Sequence, residues 1–186
     1  MRSIIDASSL IVLARLDGLG LLDRALGGAV LTSDVEAEVV TAGRAKGYPD
    51  AAHVEAAIAT SALIVIDPTP KERGQADALG RAATGLSRAD CTTIVCARER
   101  GHSLLIEDQR ARRVASAEGV HCIILQLLPF YGYVRRRLAY ASAAEWTTKI
   151  GSAMHSNPVL LDALATAMAE IAHLRGDTER TRRRRQ

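Results

Sequence analysis

The chain has 186 residues and a mass of 19.9 kDa, with 48% apolar and 24% charged residues, enough for one globular domain plus an appendage. The formal net charge is +3, but Asp177 to Gln186 hold five Arg against one Asp and one Glu, so residues 1–176 sum to zero. A domain-wide basic field for holding nucleic acid is therefore excluded, and any binding groove must be a local patch.

The elements follow in chain order. Ser3-Ile4-Ile5-Asp6 reads as a short buried strand ending in a carboxylate. Helical spacing follows over Ser9 to Leu16 and Leu21 to Leu26, the second stopped by Gly27-Gly28. Ala29 to Leu31 is a second strand. Ser33-Asp34-Val35-Glu36 has capping-box spacing, so a helix is expected from about Asp34 to Val40, with a loop over Gly43 to Pro49. Asp50 is expected to cap a helix over Ala51 to Thr60, before a third strand at Leu63 to Ile66. Thr69-Pro70-Lys71-Glu72 and Ser87-Arg88-Ala89-Asp90 are two further boxes, opening helices that end near Gly85 and Gly101. Ser103 to Ile106 and His121 to Leu125 are strands four and five, separated by a helix from Gln109 to Ala117.

Apolar strands alternating with helices predict a parallel sheet covered on both faces, within roughly residues 1–127. Ser142 to Ala153 and Asn157-Pro158 to Arg175 read as two additional helices. The expected division is 1–128 for the sheet domain, 129–176 for a helical extension and 177–186 for a basic disordered tail. Cys91, Cys96 and Cys122 form no metal pattern and suit free thiols in a reducing cytosol. Asp6 interrupts any signal-peptide pattern. No apolar run of about 18 residues predicts a membrane span.

Ligands of open parallel sheets bind beyond the carboxyl ends of the strands. Four acids fall there from four separate segments: Asp6, Glu38, Asp90 and Asp108. Taken singly, Asp90 and Asp108 fit helix caps. Glu38 has no structural duty, and Asp6 is the hardest to explain as structure. Clustered carboxylates repel and raise one another's pKa unless a cation joins them. An all-oxygen donor set suits Mg²⁺ or Mn²⁺, and metal-assisted phosphodiester hydrolysis is the chemistry that most naturally uses it. Phosphate-loop and dinucleotide-binding glycine motifs are absent, and the five histidines form no metal motif.

Ile4-Ile5-Asp6-Ala7-Ser8-Ser9-Leu10-Ile11, Val35-Glu36-Ala37-Glu38-Val39-Val40, Leu86-Ser87-Arg88-Ala89-Asp90 and Leu104-Leu105-Ile106-Glu107-Asp108, in this order and spacing, resemble the PIN-domain ribonuclease family over about residues 1–127. The resemblance implies a three-layer α/β/α sandwich with a mainly parallel five-stranded sheet. It implies Asp6, Glu38, Asp90 and Asp108 as ligands of Mg²⁺ or Mn²⁺, RNA as substrate, and Ser8 as a hydroxyl assisting Asp6. Glu107 matches a place where the family often carries a further polar residue. The chain is also similar to VapC-type toxins, which implies a cytoplasmic enzyme with a cognate antitoxin partner; a homodimer is a further expectation. The extension beyond the sheet is longer than a minimal toxin needs.

Arg110, Arg112 and Arg113 follow Asp108 on one helix and suit RNA phosphates or a solvated face. Phe130, Tyr131, Tyr133, Tyr140 and Trp146, with Arg135 to Arg137, suit helix packing better than RNA stacking. Besides a toxin, the sequence accommodates a housekeeping RNA-processing nuclease or a non-catalytic RNA- or protein-binding module.

Overall fold

A computed structural model describes residues 3–177 of the chain. The residues divide into two compact units, the first ending at Leu125 and the second beginning at Gln126. The first unit is built on five strands: β1 (Ser3–Ile5), β2 (Ala29–Thr32), β3 (Ile64–Ile66), β4 (Ser103–Leu105) and β5 (Cys122–Ile123). Their order is β3-β2-β1-β4-β5, and all four pairings are parallel. Ile4 aligns with Val30 on one side and Leu104 on the other. Helices cover both faces, giving the α/β/α sandwich. Every residue of β1, β2 and β4 is buried, whereas edge strand β3 is partly exposed. The apolar runs thus mark the strands buried on both faces.

The intervening helices are α1 (Ala7–Arg15), α2 (Gly20–Leu26), α3 (Ser33–Glu36), α4 (Ala42–Ala45), α5 (Pro49–Ala59), α6 (Pro70–Ala82), α7 (Arg88–Arg100) and α8 (Gln109–Ala117). Strand order reverses around β1: the chain passes from β1 to β2 and β3, then returns to lay β4 on the other side of β1. The crevice between the carboxyl ends of β1 and β4 is therefore the topological switch point, where parallel sheets place ligands.

Three local expectations are corrected. The third helical region does not stop at Val40. A π turn at Ala37–Thr41 carries it into α4, across the stretch expected to be a loop. Its N-cap is Thr32 rather than Ser33, with the Val35 N–H donating to Thr32 Oγ1 at 3.3 Å. Asp50 is not a cap, because α5 begins one residue earlier at Pro49; Asp50 is buried and pairs with Arg15 at 3.5 Å. For Asp50, a proline already shaped for the first turn and the Arg15 partner outweigh the local signal.

The second unit contains a 3₁₀ turn (Leu125–Leu127 at its entry), α9 (Leu128–Val134), α10 (Tyr140–Ala153) and α11 (Pro158–Arg175). The α9 helix was not anticipated by the sequence reading. Its Pro129 stands in the first turn, where the missing N–H costs nothing. Tyr133 and Trp146 are buried, Tyr133 meets Tyr140 edge-on at 5.8 Å, and the Arg175 guanidinium lies 5.2 Å from the Tyr133 ring centre. These aromatics therefore pack the helices together. Tyr133 also donates its hydroxyl to Asp177 at 2.9 Å. The rest of the expected tail, 178–186 with its arginine run, lies outside the described residues.

The Thr69–Glu72 box is formed as expected, and Glu72 has a second task. Arg100, from the end of α7, donates to both its oxygens at 2.7 and 2.8 Å, so one carboxylate ties α6 to α7. Those bonds hold the buried Glu72 down at about 2, from an ordinary 4.5. A carboxylate with a depressed native pKa stabilises the fold above its unfolded value, and that contribution fades as pH falls through the native value. Glu72→Gln should cost roughly 3 kcal/mol at pH 7, because it leaves Arg100 uncompensated. The gap to wild type in denaturant titrations should close as pH falls from 4.5 toward about 2.

Candidate active site

Asp6 is the first residue past β1 and continues the ladder, its N–H donating to the Leu105 carbonyl at 3.0 Å. Its side chain N-caps α1, accepting from the Ser9 N–H at 2.8 Å through Oδ1. Oδ2 accepts from the Glu107 N–H at 3.0 Å. One carboxylate thus joins β1, α1 and the segment after β4, across the switch point. It is only 3% exposed. Burial raises its pKa, the bonds from Ser9 and Glu107 oppose that rise, and the nearby charge of Asp90 adds to it.

The described residues include three buried carboxylates: Asp6, Asp50 and Glu72. Asp50 has Arg15 and Glu72 has Arg100. Asp6 has no basic side chain paired with it among the described residues, and the one charge that shifts it, Asp90, is acidic. This is the reverse of how a buried acid is normally accommodated.

Glu38 sits on the π turn that follows β2, a helical irregularity often found at functional positions. Partial burial raises its pKa, followed by the charges of Asp90 and Asp6; Lys46 opposes them more weakly. Asp90 is the third residue of the α7 capping box. Its Oδ2 accepts from the Ser87 N–H at 2.9 Å and the Ser87 hydroxyl at 2.8 Å. Asp108 N-caps α8, its Oδ1 accepting from the Ala111 N–H at 2.6 Å. Asp6, Glu38 and Asp90 therefore share one electrostatic neighbourhood. Asp108 lies beyond the same strand edge but is not among the charges that shift Glu38.

Among the described residues, no three His, Cys, Asp or Glu side chains stand close enough to enclose an ion as they are. The donor chemistry nonetheless suits a hard divalent cation. All donors are carboxylate oxygens, one is buried without a countercharge, and each cap uses one face of its carboxylate while leaving other lone pairs. The buried Ser9 Oγ also makes no well-formed hydrogen bond, although it lies near enough to Asp6 to favour its charged form.

Ser8, expected beside Asp6, is exposed, and Ser9 is the hydroxyl buried there. Helix phase separates the two: a residue three positions after an N-cap turns back over it. The Glu107 side chain accepts from the Leu125 N–H, so it fastens the segment that presents its own N–H to Asp6. Arg110 and Arg113 are exposed on α8, while Arg112 is half-buried. Cys91, next to Asp90, has its thiol pushed up by burial and by that acid, which makes it a poor nucleophile.

The parallel sheet with helices on both faces and acids beyond its switch point defines an α/β/α sandwich of PIN-like class. A family model described as a PIN domain (DUF3368) matches residues 2–128, and the chain belongs to that PIN-domain family. PIN domains are generally nucleases. Among curated proteins, none matches the chain.

If the acids share a field, removing one must relax the others. In ¹³C-detected titrations without metal, Asp6 and Glu38 should titrate above ordinary carboxylates, and Asp90→Asn should lower both. Unchanged midpoints would contradict the shared site.

Proposed function

We propose that the protein is a Mg²⁺- or Mn²⁺-dependent endoribonuclease, the toxin of a type II toxin–antitoxin pair acting in the cytoplasm. The observation that carries this reading is the buried Asp6, which alone of the three buried acids among the described residues lacks an arginine and instead feels the charge of Asp90. Asp6, Glu38, Asp90 and Asp108 are the residues that would hold the metal. When bound, such an ion lowers the pKa of a water and offsets the charge of the phosphate.

The chain's own residues do the rest. The Ser9 and Glu107 N–H groups fix the Asp6 carboxylate in place and favour its ionised form. Ser87 fixes Asp90, and Asp108 is fixed by its own helix. Ionised acids are needed to hold a cation, so the raised pKa values of Asp6 and Glu38 make metal affinity fall as the medium is acidified. Arg110, Arg112 and Arg113 on α8 offer charge to RNA phosphates, and the exposed Ser8 hydroxyl on α1 is a further candidate contact. The helices of residues 129–176 are proposed to form a homodimer surface and to meet the antitoxin. Among the described residues, no helix is long and apolar enough to cross a membrane.

The deciding experiment is cleavage of single-stranded RNA with Mg²⁺, Mn²⁺ or EDTA. Wild type should cut only with metal, and Asp6→Asn should lose at least about a hundredfold in rate. Metal-independent cutting, or full activity in Asp6→Asn, would reject the mechanism. Growth arrest on expression, relieved by the product of the adjacent gene, would separate a toxin from a processing nuclease. In EDTA, Glu38→Gln should raise stability by about half a kcal/mol, since it removes repulsion at a surface position. The same variant should lose most of the rise in melting temperature that Mn²⁺ gives wild type.

A further inference from the structure

The first unit has many arginines, and several of them are already committed. Arg88 and Arg73 face Asp34 at 3.0 and 3.7 Å. Arg100 is held by Glu72, and Arg98 by Glu118. Arg112 is half-buried beside Cys122, whose thiol donates to the Arg112 carbonyl. Arg110 differs. It is exposed, and no carboxylate among the described residues pairs with it. Its guanidinium rests against the Gly85 backbone: a Cβ built on Gly85 would lie 2.5 Å from Nη1 and 2.9 Å from Cζ. Gly85 has φ +87°, a conformation that favours glycine for a second reason.

Gly85 lies two residues before Ser87, the cap that fixes Asp90. Arg110 lies two residues after Asp108, the cap of α8. The guanidinium therefore reaches from the helix start that carries Asp108 to the loop feeding the helix start that carries Asp90. Both helices offer N–H groups and a positive dipole end toward the same edge.

We infer that Arg110, seated on the bare backbone of Gly85, is the residue that holds the substrate phosphate next to the acid cluster. The inference rests on the nuclease reading and selects one of three candidate arginines. The ligand is a phosphodiester of single-stranded RNA. A planar guanidinium suits it because two N–H groups can meet two phosphate oxygens at once.

The test measures binding apart from cleavage. A fluorescent single-stranded RNA is titrated with full-length Asp6→Asn protein in EDTA, by anisotropy, over a range of salt. Arg110→Ala in that background should weaken binding about tenfold at low salt and reduce the salt slope by about 0.7, the value for one phosphate on a single strand. Gly85→Ala should give a similar loss, and the double variant no further loss, because both remove one seated guanidinium. Arg24→Ala is the control. It lies on α2, which leads into the opposite, amino-terminal end of β2, and it should change binding less than twofold. Arg110 is exposed, so its removal leaves the fold intact. If Arg110→Ala keeps the parent's affinity and slope while wild type cuts RNA with metal, this inference falls and the nuclease reading stands. If the parent binds no RNA and wild type cuts none, both fall.

Discussion

The structure depends on a carboxylate placed where water is nearly absent. Asp6 closes β1, starts α1 and receives the N–H of Glu107 from beyond β4. Burying a charge without a partner of opposite sign costs several kcal/mol. Two backbone N–H groups recover part of that, and the raised pKa shows that the recovery is incomplete. The remaining imbalance sits at the one point of the sheet where strand order reverses, and Asp90 and Glu38 add to it. Elsewhere in the same unit the buried acids Asp50 and Glu72 are neutralised by arginines. The sequence thus has the means to pair a buried carboxylate and does not use them at Asp6.

Capping and metal binding need not compete for these acids. Asp6 and Asp108 are N-caps, and Asp90 is the third residue of a box. A cap immobilises the carboxylate through one or two acceptor bonds and places it at the positive end of a helix, which offsets part of the repulsion while no cation is present. It also aims the remaining lone pairs outward from a rigid element, which preorganises a site. Glu38 has no such cap and sits on a π turn. Among the described residues, Lys46 is the only basic group that lowers it. It is the acid whose charge is least compensated by local backbone.

Much of this was legible in the sequence, because several signals are local. The Thr69 and Ser87 boxes, the Gly101 stop, the α8 boundaries and the five apolar strands depend on residues within one turn or one strand of each other. The places of Asp6 after β1 and Asp108 at the start of α8 were legible because position past a strand is a matter of order along the chain. What escaped depends on distant partners. Asp50 reads as a cap until Arg15 is seen beside it. Glu107 reads as a candidate acid until Leu125 occupies its carboxylate. Ser8 and Ser9 are alike in type, and only the helix phase after Asp6 decides which is buried. The π turn leaves no periodic trace, since one extra residue in a turn is invisible against a short apolar pattern.

An acidic centre must still attract a polyanion. Residues 1–176 carry no net charge, so the attraction cannot come from the field of the whole molecule. Several surface arginines are tied to acids of the same unit, and in the second unit Arg135 and Arg175 are drawn over tyrosine rings. Among the described residues, the groups that can meet an anion at the carboxyl edge of the sheet are local ones: the helix starts that follow the strands, Lys46 beside Glu38, and the exposed Arg110 and Arg113. On the proposed ribonuclease reading, a strand of RNA gains most when a backbone phosphate lies over that edge, so binding and positioning for attack become the same event.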